Sequence, residues 1–294
     1  MNASLHDYMA SKKVWLEEKL PDFLEQASIP GKLKESMIYS LMAGGKRIRP
    51  ILLFATLDAL GCREEKGLST AIGLEMIHTY SLIHDDLPAM DNDDLRRGKP
   101  TNHVIFGEAT AVLAGDGLLT AAFDLVAGDP ALNAEIRCRI LQMLANAAGP
   151  EGMVGGQEDD LEAEEKTLTI DELMSVHRRK TGRLICFPVA AAAVIAGAPE
   201  HQRRALEQYA GHLGLAFQIG DDILDISGSE QELGKPVGSD LVNHKNTYVS
   251  LLTMEGARKK LEDHVASAKK ALRESGIHYG VLSDLADYLQ TRTH

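Results

Sequence analysis

Residues 205–226, ALEQYAGHLGLAFQIGDDILDI, decide the fold of this 294-residue chain. Their apolar side chains recur at spacings of three and four, which is the period of one helix face. The members of this stripe are Leu206, Tyr209, Leu213, Phe217 and Leu224. The other face is only weakly polar, and a helix that is apolar nearly all round is usually surrounded by helices. We therefore expect this stretch to be a central helix.

Helical patterns of the same kind run along the rest of the chain, and no segment shows the alternation of a half-buried strand. The predicted helices cover residues 33–42, 50–60, 68–86, 110–126, 131–148, 170–179, 184–195 and 256–275. Glycine and proline residues separate them, but no break has the composition of an interdomain linker. We predict an all-α fold in a single domain over residues 1–294.

Composition excludes several classes of protein. Hydrophobic residues make up 44% of the chain and charged residues 25%, which is ordinary for a globular protein and excludes a disordered chain. The net charge of −12 repels polyanions, so we expect no nucleic-acid binding. Three cysteines without a close pair, Cys62, Cys138 and Cys186, favour a cytoplasmic location over a disulfide framework. No run approaches the roughly 18 apolar residues of a membrane span.

Two carboxylate clusters form a candidate site. Residues 85–91 read DDLPAMD, and residues 221–225 read DDILD. Asp221 and Asp225 share a helix face, while Pro88 can interrupt the first helix and let Asp91 turn back towards Asp85. One such cluster alone is more often a hydrated helix end. Both lie on strongly apolar helices, however, where carboxylates need a partner, and their oxygens suit Mg²⁺ ions that bridge to a substrate diphosphate.

Basic side chains are placed to complement that diphosphate. Residues 44–50, GGKRIRP, precede a predicted helix, residues 96–99, RRGK, follow the first acidic cluster, and residues 180–183 read KTGR. His78 lies two helical turns before Asp85 and shares its face, although a histidine on an apolar face is more often a satisfied core residue. The acidic run 158–166 is interpreted as a solvated surface segment.

These motifs together resemble the trans-isoprenyl diphosphate synthases, particularly the bacterial farnesyl diphosphate synthases, over about residues 36–292. The resemblance implies the isoprenoid synthase fold, a large helical bundle around a deep central pocket, and a homodimer. It also implies three Mg²⁺ ions. The principal ligands would be Asp85, Asp91 and Asp221, with Asp86, Asp222 and Asp225 supporting coordination or its water shell.

The same resemblance implies two substrate subsites. The isopentenyl diphosphate site would comprise Lys46, Arg49, His78 and Arg97. The allylic diphosphate site would comprise Arg96, Lys180, Thr181, Gln218, Lys235 and, as a weaker candidate, Lys245. The residues expected to carry the chemistry are Asp85, Asp86, Asp91, Arg96, Lys180 and Asp221. One departure from the relatives is Gly220, which stands where they often carry a polar or basic residue.

The implied activity is prenyl transfer. Isopentenyl diphosphate would condense with dimethylallyl and then geranyl diphosphate to give (2E,6E)-farnesyl diphosphate, by Mg²⁺-assisted ionisation, condensation and proton elimination. Ser81 lies more directly beneath Asp85 by helical geometry, but in farnesyl-forming relatives an aromatic residue at the position of Tyr80 closes the pocket. Tyr80 could instead merely pack between helices. The alternatives are a geranylgeranyl diphosphate synthase, a terpene cyclase and a noncatalytic subunit.

Overall fold

The chain folds into helices joined by short turns. The computed structural model describes residues 3–163, 166–227 and 246–292. In chain order its helices are α1 (Ala3–Lys19), α2 (Asp22–Gln26), α3 (Gly31–Leu41), α4 (Ile48–Ala59), α5 (Leu68–Asp85), α6 (Asn102–Phe106), α7 (Glu108–Ala127), α8 (Ala134–Ala148), α9 (Met153–Ala163), α10 (Ile170–His177), α11 (Arg183–Ile195), α12 (Glu200–Ser227), α13 (Tyr248–Ser275) and α14 (Gly280–Thr291). A 3₁₀ turn covers Glu64–Gly67, and a π-helical turn covers Arg178–Gly182.

The all-α prediction is confirmed, and the predicted helices are found within a few residues of their expected ends. Helix α13 is kinked at Thr253, where φ is 67°, and the predicted helix 256–275 is the part that follows this kink. The described part of the chain also contains a short β-hairpin with two residues in each strand, in which β1 (Leu95–Arg96) pairs antiparallel with β2 (Lys99–Pro100). This hairpin is too short to show periodicity in the sequence. Its turn places Arg97 and Gly98 at positive φ, and it carries the RRGK motif.

The core has two halves. One surrounds α12, whose buried residues pack against α11, α13 and α14. The phenol of Tyr209 is fully buried there and donates a 2.8 Å hydrogen bond to the carbonyl of Leu282 in α14. The other half surrounds α5, which packs between α4 and α7. The predicted central helix is therefore confirmed, and α5 is its counterpart in the second half of the core.

Helix α7 has an exposed apolar face. Its residues Ala111, Ala114, Leu118, Ala122 and Val126 are buried, whereas Val112 and Leu113 are 40% and 56% exposed. By length and composition, Glu108–Ala127 could cross a membrane, but it also carries Asp116 and Asp124, and a core helix of a globular protein passes the same test. Because one face of α7 is buried against α5, its length and composition are weak evidence for a membrane span.

Candidate active site

The first carboxylate cluster lies where α5 ends. The turn after Asp85 folds back, so that the backbone N–H of Asp91 donates a 2.9 Å hydrogen bond to the carbonyl of Asp85. Asp91 therefore returns towards Asp85, as the proline in the motif suggested. Burial raises the pKa of Asp85 to about 6; the charge of Lys180 opposes this shift and that of Asp91 adds to it. A desolvated carboxylate beside others of the same charge favours a bound cation.

Asp86 is already paired. Its Oδ1 accepts hydrogen bonds from Nε and Nη2 of Arg96 at 2.7 and 2.5 Å. Burial would lower the pKa of Arg96, but the hydrogen bond and charge of Asp86 raise it above its ordinary value. The hairpin thus fixes the Arg96 guanidinium beside the first cluster.

The second carboxylate cluster lies near the end of α12. Asp222 and Asp225 are buried, whereas the Asp221 side chain is 41% exposed. The two oxygens of Asp222 accept hydrogen bonds from Gln218 Nε2 at 3.1 Å and from the backbone N–H of Tyr248 at 2.7 Å. Both oxygens of Asp222 already hold protein groups in place, which suits the supporting role expected of this residue.

Asp221 also has a partner that the sequence did not reveal. Arg292 donates a 2.7 Å hydrogen bond to Asp221 Oδ1 and another, also 2.7 Å, to the carbonyl of Phe217, and its guanidinium lies 4.3 Å from the Phe217 ring centroid. A Cβ at Gly220 would lie only 3.1 Å from Arg292 Nη2. The space that a side chain at Gly220 would take is thus occupied by the guanidinium of Arg292.

The three basic side chains of the GGKRIRP loop lie in different environments. Arg47 has a left-handed backbone, with φ of 54°, and points into the core, where it binds Glu17 and Glu75 at 3.0 and 2.6 Å. Lys46 and Arg49 instead face the charge of Asp221. Burial lowers the pKa of Lys46 to about 8, the charge of Arg292 adds to this shift, and Asp221 opposes it.

Arg49 adjoins His78 and Arg97. Its Nε is buried without a hydrogen-bond partner in the described part of the chain, which suits a site that awaits an anion. Burial, reinforced by the charges of Arg49 and Arg97, lowers the pKa of His78 well below its ordinary value, so its imidazole is neutral. The Arg97 guanidinium donates to the carbonyl of Gly44 and lies where a side chain on Gly45 would be. The structure therefore brings Arg49, His78 and Arg97 together, while Lys46 lies near Arg292 and Asp221.

The π-helical turn between α10 and α11 presents the KTGR residues. Lys180 Nζ binds Asp160 of α9 at 2.6 Å, and Thr181 Oγ1 donates to Gln218 of α12 at 3.0 Å. A Cβ on Gly156 of α9 would lie 2.2 Å from the backbone nitrogen of Lys180. Glycine at this position is therefore what allows α9 to pack against the turn.

The acidic run 158–166 carries two ion pairs that its charge pattern does not reveal: Asp160 binds Lys180, and Asp159 binds Arg179 at 2.5 Å. A run of like charges gives no sign of its partners when these lie some 20 residues away, so only the fold could reveal this role. Glu75 was also missed, although an acid within the apolar helix α5 is an available signal for a buried partner.

Tyr80 and Ser81 lie on α5 before the first cluster. Tyr80 is buried, and burial together with the charge of Asp85 raises its pKa to about 12. Ser81 Oγ donates a 2.9 Å hydrogen bond to the carbonyl of His78, within its own helix. Lys235 and Lys245 lie outside the described residues, so their expected roles stay predictions.

The carboxylate clusters fit Mg²⁺. In residues 3–163, 166–227 and 246–292, no three His, Cys, Asp or Glu side chains could hold a metal ion by themselves. Mg²⁺ commonly uses one or two protein carboxylates and completes its shell with water and substrate phosphate oxygens. Two separated carboxylate clusters flanked by arginine and lysine therefore suit metal ions that arrive with a diphosphate.

Comparison with known proteins agrees with this geometry. The sequence profile of the polyprenyl synthetase family matches residues 30–277. The chain is 52% identical to the farnesyl diphosphate synthase of Geobacillus stearothermophilus, over 99% of each chain. It is 50% identical to the farnesyl diphosphate synthase of Bacillus subtilis (strain 168), over 100% of each. The fold matches the crystal structure of geranylgeranyl pyrophosphate synthetase from Pyrococcus horikoshii with a TM-score of 0.89 and 31% identity, over 98% of this chain and 99% of that one.

The helical bundle and its paired acidic and basic clusters define a prenyltransferase. The chain belongs to the polyprenyl synthetase family.

Proposed function

We propose that the protein is a farnesyl diphosphate synthase that condenses isopentenyl diphosphate with dimethylallyl and then geranyl diphosphate. The observation that carries this proposal is that groups of basic side chains accompany both carboxylate clusters. The charge of Asp221 acts on Lys46 and Arg49, while Arg96 binds Asp86 and the charge of Lys180 acts on Asp85. Two diphosphate substrates require two such groups.

In this proposal the chain's residues hold two diphosphates in one orientation. Lys46, Arg49 and Arg97 bind the acceptor diphosphate as cations, and neutral His78 binds it by hydrogen bonding. Arg96, Lys180, Thr181 and Gln218 hold the allylic diphosphate. Ions of Mg²⁺ held by Asp85, Asp91 and Asp221, with Asp86, Asp222 and Asp225 behind them, would neutralise the departing diphosphate. Three ions are expected from the resemblance.

The reaction then balances without a further reagent. The allylic C–O bond breaks and its electron pair leaves with diphosphate, producing a delocalised carbocation. The double bond of isopentenyl diphosphate forms the new C–C bond, and a proton passes to an oxygen of the released diphosphate. Apolar helices exclude water, which would otherwise capture the cation.

Tyr80 supports farnesyl diphosphate as the end product. Its ring is buried within the helix that carries Asp85, and it lies close enough for the Asp85 charge to raise its pKa. By its resemblance to farnesyl-forming relatives, this ring would close the pocket below Asp85 and stop the growing chain. The alternative product is geranylgeranyl diphosphate, since the same fold occurs in the Pyrococcus synthetase.

The test is a product assay. We expect the purified protein, with Mg²⁺, labelled isopentenyl diphosphate and either dimethylallyl or geranyl diphosphate, to release farnesyl diphosphate. Asp85→Asn and Asp221→Asn should each lower turnover by about 10²–10³-fold, as loss of charge stabilisation does in other enzymes. Asp124→Asn, which removes one exposed charge from α7, is the matched control and should leave turnover unchanged.

The other outcomes identify the rival functions. Hydrocarbon or alcohol formed from an allylic diphosphate alone would indicate a terpene cyclase. Folded protein that condenses neither starter would indicate a noncatalytic subunit, and full activity in the Asp85→Asn and Asp221→Asn double variant would disprove the metal role.

We also propose that the protein is a homodimer in the cytoplasm. Four large apolar side chains are exposed together on the neighbouring helices α6 and α7: Val104, Ile105, Val112 and Leu113. Each is 40–56% exposed, and the two helices pack against each other. Exposed apolar surface on packed helices suits a protein interface. Three cysteines without a close pair in the sequence suit a cytoplasmic protein.

A further inference from the structure

The side chain of His84 lies between Tyr80 and α7. It follows Tyr80 by four residues, so the two share a face of α5. Their ring centroids are 5.7 Å apart with planes at 78°, an edge-to-face contact. This geometry puts the imidazole against one side of the buried phenol ring.

The His84 ring is itself fixed from α7. Its Nε2 lies 3.0 Å from the carbonyl oxygen of Val112, and because a carbonyl only accepts, Nε2 must carry the proton. Asp116 Oδ1 lies 4.0 Å from the same nitrogen. One turn of α7 therefore sets the orientation of the imidazole.

Gly115 provides the space for this ring. A Cβ built on Gly115 would lie 2.1 Å from His84 Nε2 and 2.5 Å from Cδ2. Such distances are far inside contact, so any side chain at position 115 must displace the imidazole.

Tyr80 depends on this packing. In the described part of the chain its hydroxyl makes no hydrogen bond, so its ring orientation depends on the neighbouring side chains. We propose that His84 is a positioning residue for product length, which holds the Tyr80 ring across the path of the growing prenyl chain. Gly115 makes this possible by leaving room for His84. This inference rests on the proposed function, because it assumes that Tyr80 limits chain length.

The test measures product length rather than rate. In His84→Ala the phenol ring loses its neighbour and can turn aside, so the ratio of C20 to C15 product should rise by about three- to tenfold. Gly115→Ala should raise the same ratio, since its methyl group pushes the imidazole away. Gly117→Ala is the matched control: it adds the same methyl group to the same helix, but meets only the flexible Met37 side chain at 3.0 Å.

A double variant makes the assignment specific. Once His84 is alanine, the methyl group of Gly115→Ala has nothing to displace. The double variant should therefore give the same C20 to C15 ratio as His84→Ala alone, with no further increase from Gly115→Ala. A change in rate with an unchanged product ratio in both single variants would overturn the inference, and so would simple additivity.

Tyr80→Ala separates this inference from the proposal beneath it. If Tyr80→Ala lengthens the product and the His84 and Gly115 variants do not, the positioning role alone is wrong. If Tyr80→Ala also leaves product length unchanged, the assignment of Tyr80 has failed, and the role of His84 fails with it.

Discussion

At the scale of single residues, the site is built from side chains whose ionisation is shifted by burial. Lys46 has a pKa of about 8, lowered first by burial and then by the charge of Arg292. A lowered pKa means that the cation is lost as the pH rises through about 8. We expect kcat/KM for isopentenyl diphosphate to fall above that pH, because this parameter reports groups of the free enzyme.

The matched variant for this prediction is Lys46→Arg. Arginine stays protonated throughout the range, so the alkaline fall assigned to Lys46 should disappear even if the absolute value is lower. At saturating isopentenyl diphosphate the fall should move to higher pH, since a bound anion favours the cation. An alkaline fall that is identical in both proteins would rule out Lys46 as its source.

At the scale of elements, the contact between α9 and the π-helical turn determines where Lys180 lies. Gly156→Ala would place Cβ 2.6 Å from Lys180 Cα, where only backbone movement relieves the clash. We expect a loss of about 1–3 kcal/mol in the free energy of unfolding, the usual cost of overpacking. Denaturant titration measures this loss. We also expect a higher KM for the allylic diphosphate, measured by varying each substrate in turn.

The control for that prediction is Gly211→Ala in α12, where an added Cβ meets no atom within 4 Å. It should stabilise the protein by about 0.5–1 kcal/mol, because alanine is the better helix former. An equal rise in both KM values for Gly156→Ala would indicate general damage rather than displacement of Lys180.

The elements also show what a sequence can predict. Apolar periodicity located α5, α7 and α12 because their buried faces follow one helical period. It did not locate α1, whose charged and apolar residues are mixed and whose Leu5 and Leu16 are buried by other helices. Partners distant in the chain, such as Asp160 with Lys180 and Arg292 with Asp221, leave no local pattern. The motifs identified the site, but its pairings required the fold.

At the scale of the whole molecule, the exposed face of α6 and α7 determines assembly in our proposal. Leu113→Glu would bury a carboxylate in the dimer interface, at a cost of about 3 kcal/mol or more, which corresponds to roughly 100-fold weaker association. We expect light scattering coupled to size-exclusion chromatography to show monomers. Val14→Glu is the control, since Val14 is equally exposed, at 57%, on α1. Loss of the dimer in both variants, or in neither, would contradict this interface.

The buried side chain of Arg47 has a consequence for how the GGKRIRP loop tolerates change. Arg47 ties the loop to α1 through Glu17, to α5 through Glu75 and to the end of α3 through the Leu41 carbonyl. The anchor Arg47 therefore lies between the two expected binding groups, Lys46 and Arg49. Insertion or deletion of one residue here would turn a substrate-binding cation towards the core and the anchoring arginine away from it. The length of this loop is thus as constrained as its composition, and a relative whose loop differs by one residue would need a different anchor.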